Sequence, residues 1–378
     1  MIVVPATPTI TGQGPFTATC WIRTLDIGSF EQPRVILGLE ARPVTACGIE
    51  TTDQNVTPFA LSVTEDGRLR YGYENDCGGA GGGLVADALG SLKGCGWHFV
   101  AVVRTASEHV TLYVDGDLQE FPNANADIAA YADNRLCFGS LLQFQEGSGP
   151  TTTLPLDGQL DEITYWNRDL SGSEVEALLG GTLPSSTAGL AGYWKLDDAT
   201  GQVVLDHSGN GLHGTLGLDT AAAADDPMWV SVGPLPHDET TILTGAPVEI
   251  AVGSGGAQSL MLESCGNGFS TIYAILGSTT GTTGTPVGGT VLPLTVDAYF
   301  LQTATQLGAL PSAIVIEDAL GGLDAQGRAH AAVVVPPLSP AFVGLTINHA
   351  ALIFEIDLLA GTIAVLDASN PVAMHLIL

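Results

Sequence analysis

Asp161 and Glu162 stand side by side in the run LDGQLDEITYWNRDLS, residues 156–171. Two carboxylates are the minimum equipment of a glycoside hydrolase, which needs them on either side of one sugar-binding cleft. Neighbours on a strand point to opposite faces, so these two are not expected to act as a pair. No E-x-D-x-E or E-x-D-x-x-E run, which would line carboxylates along one strand, occurs in the chain. Nucleophilic chemistry fares no better. His98 and His109 fall in or near strands, His207 and His213 in a turn, and no G-x-S-x-G elbow is present. The glycine run at residues 78–83 lacks the Lys-Ser/Thr end and the following helix of a phosphate loop. The six cysteines include no C-x-x-C and no histidine at zinc spacing. The chain is expected to bind or assemble and not to catalyse.

These residues sit on strands. Leu160, Ile163 and Tyr165 give an apolar strand face, and Ser171 with Glu174 three residues on forms a capping box that opens a helix of about two turns. Leu170 and Val175 flank that cap as a hydrophobic staple, and Gly180-Gly181 supplies the left-handed stop. The runs FTATCWIRT, DGRLRYGY and WHFVAVVR followed by VTLYVDG alternate as antiparallel hairpins, with Asp66-Gly67 and Asp115-Gly116 as turns.

In their order these segments resemble the laminin-G-like domain, a concanavalin A-like jelly roll, over residues 14–218. The run LAGYWKLDDATG and its sequel DHSGNGLHG, residues 190–201 and 206–214, often stand at the front of such domains and here come last. The expectation is that they close the same sandwich from its other end. The resemblance also implies Ca²⁺ held near the rim by Asp or Asn side chains and backbone carbonyls, and the candidate ligands are Asp161, Asp206 and Asn210. The alternative for Asp206 is an Asx turn, for Asn210 a left-handed turn position, and for Asp161 acceptance of backbone N–H bonds. Sugar binding requires exposed aromatic rings. Trp21, Tyr71, Tyr73, Tyr113 and Trp166 are available, whereas Trp97 and Trp194 match positions that pack inside.

Composition limits the partners. A net charge of −29 with two lysines in 378 residues disfavours nucleic acid and anionic membranes, because phosphate recognition needs clustered Lys and Arg. No apolar run is long enough to span a bilayer and no leader pattern is visible, so the chain reads as mature, or as exported by a route without a visible signal. The expected place is extracellular or at the cell surface, with the cytosol left open by this evidence alone. Cysteines tilt toward an oxidising compartment: a bridge between Cys47 and Cys77 would staple two loops, and Cys77 to Cys95 would close the glycine loop, with buried free thiols in a reducing cell as the alternative.

Prolines and acids at residues 233–240 interrupt the periodicity, which divides the chain into a jelly roll over 1–235, a linker over 236–242 and a smaller β-sandwich over 243–378. From Thr241 the chain carries one arginine and no lysine, and strands are expected at residues 247–252, 271–276, 313–316, 329–335, 351–356 and 374–378. Its tail resembles a C-terminal module of large secreted bacterial proteins of planctomycete type. The fold class expected is all-β. The function expected is recognition of an extracellular polysaccharide or glycoprotein through the jelly-roll rim, with a self-assembling surface layer or filament as the alternative.

Overall fold

The computed structural model describes residues 1–7, 9–10, 14–24, 33–40, 42–43, 55–56, 59–73, 82–94, 96–122, 135–143, 151–198, 200–223, 226–230, 241–264, 271–305, 314–324, 327–357 and 361–378. It divides into two compact units, Met1–Trp229 and Val230–Leu378. Thr241 and Ile242, assigned to the linker by sequence, instead open the strand Thr241–Ala246 and are buried, with Ile242 facing Glu263 across the ladder. The rest of the expected linker lies outside the described residues. No described helix is long and apolar enough to cross a membrane.

The first unit is a two-sheet sandwich. One sheet runs in the order Asp117–Phe121, Val110–Val114, His98–Arg104, Phe16–Thr24, Gly158–Trp166, Leu190–Trp194. The other begins Val203–Val204, Gly214–Leu216, Ile2–Val4, Leu136–Phe138 and continues through Arg34–Leu39, Ala60–Val63, Leu69–Tyr73 and Gly82–Val85. The late segments therefore do close the same sandwich: Leu190–Trp194 pairs with Gly158–Trp166, while Gly214–Leu216 pairs with the N-terminal Ile2–Val4.

Strict alternation explains the core. Phe16, Ala18, Cys20 and Ile22 enter it from one face of their strand, beside Tyr165, Phe59 and Tyr71. Phe16 stacks on Tyr165 with ring centroids 5.7 Å apart. Thr17, Thr19, Trp21 and Arg23 point to the other face and are buried as well. Helix α1, Gly172–Leu179, covers part of that outer face with Val175 and Leu178. Its mooring is polar: Thr17 donates to the Arg168 carbonyl and accepts from the Leu170 N–H, both at 2.9 Å. Arg168 clamps Glu174 with two hydrogen bonds of 3.0 and 2.7 Å, and this guanidinium pulls the Glu174 carboxyl down to about 2. The same guanidinium lies 5.1 Å over the Trp166 ring.

Among the described residues the second unit has, besides the two-stranded hairpin of Thr285–Val287 and Thr290–Leu292, two larger sheets. Thr241–Ala246, Gly256–Ser264, Arg328–Val335 and Val315–Glu317 form one. The other takes Glu249–Ala251, Val372–Ile377, Thr346–Asp357, Thr271–Ser278 and Leu320–Gly322, with Thr362–Ala368 paired to the far half of Thr346–Asp357. Leu260, Leu262, Val333, Ile275, Ile353 and Met374 join both sheets in one core. Elements here not expected from sequence include the strands Thr241–Ala246, Gly256–Ser264, Thr285–Val287, Thr290–Leu292, Leu320–Gly322 and Thr362–Ala368, and helix α2, Ala298–Thr305. Asp297 starts α2. One carboxylate oxygen accepts the Phe300 N–H at 2.7 Å, and the other accepts from the Ser278, Thr279 and Thr280 hydroxyls and the Thr279 N–H. Desolvation raises this carboxyl, but these donors outweigh it and bring it to about 2.

Beneath α2 lies a buried histidine. His349 is fully enclosed, its Nε2 meets the Tyr299 hydroxyl at 3.3 Å, and its Nδ1 has no hydrogen-bond partner. Burial pushes its pKa down to about 3. A base whose native pKa lies below its unfolded value binds fewer protons when folded, so stability falls as pH drops below about 6.5, by up to roughly 1.4 kcal/mol per pH unit until the native value is reached. Calorimetry between pH 7 and 4 is expected to show the second unit's transition moving down, and less steeply in His349→Leu. Parallel slopes for both proteins would count against it.

Candidate binding site and sheet-edge cluster

A β-bulge separates the expected from the observed placement of the acid pair. The strand Gly158–Trp166 pairs Asp161 with Trp21 and Thr164 with Thr19, so two residues fill a space where the partner strand has one. Glu162 sits in this bulge with φ 50°, a left-handed conformation uncommon for glutamate. The bulge cancels the alternation, and both carboxylates stand on the outer side of the sheet. The sequence expectation that they face opposite ways is corrected on this point.

Glu162 then meets Tyr193, whose hydroxyl donates to its carboxylate. Together with Thr19, Phe99, Thr164, Leu178 and Leu183 they line a cavity of about 10 Å³, the size of one water molecule. Desolvation raises the Glu162 carboxyl against the lowering effect of the Tyr193 hydroxyl, and desolvation also raises the phenol. Asp197 is raised by burial first and by nearby Asp161 second. The Lys195 ammonium lies 5.6 Å over the Tyr193 ring, and His207 meets that ring edge-on at 6.2 Å. Asp161 is 6% exposed. The carboxylates are gathered on the outer side of the sheet beside this cavity.

Asp206 and Asn210 lie across Leu190–Trp194 from Asp161, on the open edge of the sheet, and their hydrogen bonds show what they do. One Asp206 oxygen accepts the Tyr193 N–H at 3.0 Å and the Ser208 N–H at 2.8 Å, and the other accepts the Leu212 N–H and the Ser208 hydroxyl, both at 2.9 Å. Asn210 donates its amide N–H groups to the carbonyls of Leu190 and Ala191 at 2.9 and 3.0 Å. The His207 N–H takes the Tyr193 carbonyl at 2.7 Å. An edge strand thus has its exposed backbone groups satisfied by a turn, a way of blocking further pairing. Burial alone would raise the Asp206 carboxyl, but its donors hold it below the usual carboxylate range.

This donor set does not fit Ca²⁺. Both Asp206 oxygens are taken by hydrogen-bond donors, Asn210 turns its nitrogen and not its oxygen to the edge, and an Asp161 oxygen accepts the Glu162 N–H at 2.9 Å. Among the described residues no group of three or more His, Cys, Asp or Glu side chains is placed to hold a metal ion. The Asx-turn alternative accounts for Asp206. Cys47, Cys77 and Cys95 lie outside the described residues, while Cys20 and Cys137 are buried free thiols, with burial raising both.

Trp21, Tyr71, Tyr113 and Trp166 are all buried, as are Trp97 and Trp194. No aromatic platform is therefore presented by these residues on the sheet faces. Sequence reasoning also missed Tyr193 and Asp197, which lie in the YWKLDD run. The signal was their alternation with buried Trp194, which puts Tyr193 on the outer side.

Residues 2–176 match a laminin G family model described as the concanavalin A-like lectin/glucanases superfamily. Similar solved structures include the heptameric SAP-like pentraxin of Limulus polyphemus, with 14% identity, 56% of this chain and 85% of that chain covered, and a TM-score of 0.34. The CBM40 of the Ruminococcus gnavus IT-sialidase shows 18% identity over 44% of this chain and 82% of that one, with a TM-score of 0.34. The mouse laminin alpha1 chain domains LG4-5 show 12% identity over 99% and 78%, again with a TM-score of 0.34. No curated protein matches. Likeness at these identities concerns fold and lends this chain neither ligand nor activity. The first unit, with its two antiparallel sheets and its capped helix, has the jelly-roll fold of the laminin G, concanavalin A-like family model that residues 2–176 match.

Proposed function

We propose that the first unit is a non-catalytic recognition module for extracellular polysaccharide or glycoprotein, which it meets through the loops at the jelly-roll rim. The observation that carries this is the occupied state of the carboxylate cluster at the bulge: the Glu162 carboxylate is taken by the Tyr193 hydroxyl, beside a cavity with room for about one water. The superfamily description spans lectins and glucanases. A glucanase needs two carboxylates facing an open cleft, and this cluster has none. The buried aromatics and the α1 cover leave the sheet faces poor in stacking surface, which favours the rim. A strong negative charge further favours neutral or cationic ligands over polyanions.

The second reading, a self-assembling layer or filament subunit, draws on the apolar-rich strands of the second unit. Titration calorimetry against a panel of neutral and acidic polysaccharides distinguishes the two. Saturable heat with at least one neutral glycan is expected, with the protein sedimenting as a discrete species. Absence of binding together with growth into larger particles as concentration rises would replace recognition by assembly.

A further inference from the structure

The second unit has a strand edge at residues 362–365 that is apolar and exposed and pairs with no further described strand, while the hairpin of Thr285–Val287 and Thr290–Leu292 packs on its inner side at Val365. Thr362–Ala368 pairs with Thr346–Asp357, and among the described residues no other strand pairs with it. Among the described residues the neighbouring strand begins at Thr271, opposite Glu355, and Ile356 and Ile363 form the next cross-strand pair along Thr346–Asp357. That pair is 37% and 68% exposed, and Leu366 is 42% exposed. Leu366 is the extra residue of a bulge, since Asp367 and Val365 face the consecutive residues Ile353 and Phe354. Residues 362–365 are therefore the regular part of the edge. On the inner side Phe354 and Val365 pack against the small core of Leu276, Leu292, Leu294 and Phe300, so the exposed isoleucines continue a formed apolar strip.

Edge strands are commonly protected by lysine, proline or a covering turn, as the 206–210 turn protects the first unit. Thr362–Ala368 contains neither lysine nor proline. Its surroundings fix the sign of any partner. From Thr241 onward nine carboxylates face a single arginine, Arg328, and that one is paired with Glu263 at 3.0 Å. Glu355 stands exposed on the neighbouring strand, and Asp367 lies at the bulge. A second copy would bring the same uncompensated negative charge to the edge, whereas lysine or arginine on an incoming strand would be attracted to it.

We infer that the open edge at residues 362–365 takes up an extended, cationic segment of another protein as an added strand, with its apolar side chains on Ile356 and Ile363. Backbone pairing gives such a complex its geometry and charge gives it its preference.

The test uses the full chain and a dye-labelled ten-residue peptide of alternating lysine and valine, read by fluorescence anisotropy at low salt. Saturable binding is expected, weakened by added salt because exposed charges are screened. Alternate N-methylation of the peptide backbone, which removes the pairing groups, is expected to reduce binding at least tenfold. The double variant Glu355→Lys/Ile363→Lys is expected to do the same with an unchanged melting curve, both positions being exposed. Equal binding of the N-methylated peptide, equal binding of a glutamate–valine peptide, or undiminished binding to the variant would each overturn the inference. A concentration-dependent dimer of the chain abolished by the same two substitutions would overturn it as well, in favour of a second copy.

Discussion

Asp206→Ala is expected to lower the unfolding free energy of the first unit by about 3–5 kcal/mol. The substitution leaves the N–H groups of Tyr193, Ser208 and Leu212 without the carboxylate that accepts them. A buried donor without a partner costs about 1–3 kcal/mol, and the edge of the sheet loses its covering turn besides. Asp206→Asn is expected to cost less, since the amide keeps one accepting oxygen. Urea unfolding followed by tryptophan fluorescence reports on this unit alone, because all five tryptophans lie within Met1–Trp229. The sign of the pH dependence follows from the depressed carboxyl: this stabilisation is complete above the unfolded value of about 3.9 and is lost as pH falls through the lower native one. Chelator is expected to leave the wild-type midpoint unchanged. A chelator-induced drop that Asp206→Ala removes would establish the calcium site instead.

Gly192→Val is expected to cost about 3 kcal/mol or more and to shift tryptophan emission to the red. A Cβ at this position would lie 2.1 Å from Cη2 and 2.6 Å from Cζ2 of Trp194. The indole folds back over its neighbour two residues away, is fully buried, meets Phe138 edge-on at 5.0 Å, and donates its N–H to the Leu212 carbonyl at 2.8 Å. Overpacking of a close-packed core is destabilising. Gly90→Ala serves as control, since a Cβ there meets nothing within 4 Å. Its midpoint should move by no more than about 0.5 kcal/mol. Equal effects at the two positions would contradict the packing argument.

Alternation made the jelly roll legible. FTATCWIRT divides cleanly into Phe16, Ala18, Cys20 and Ile22 inside, with Thr17, Thr19, Trp21 and Arg23 opposite. The helix was equally readable, because Leu170, Ser171, Glu174 and Val175 are local signals. What failed was alternation across Glu162, where one extra residue reverses the face and no glycine announces the left-handed φ. Helix α2 carried its own signal in Asp297, which was hidden among threonines that suit strands as well as caps. The turn DHSGNG shows why a metal assignment is hard to read from sequence. Its oxygens and amides are the same whether they face an ion or a strand edge, and direction is decided by the position of Leu190–Trp194. Cys47 and Cys77 fall outside the described residues.

Binding without turnover is tested most directly by incubating the protein with the polysaccharide it binds in calorimetry and following reducing ends and fragment masses over time. Saturable binding with no new reducing ends and no new masses is the expected result, identical for the wild type and Glu162→Gln. Release of reducing ends by the wild type that disappears in Glu162→Gln would contradict the account, because it would require the closed cluster beside Tyr193 to open onto a substrate.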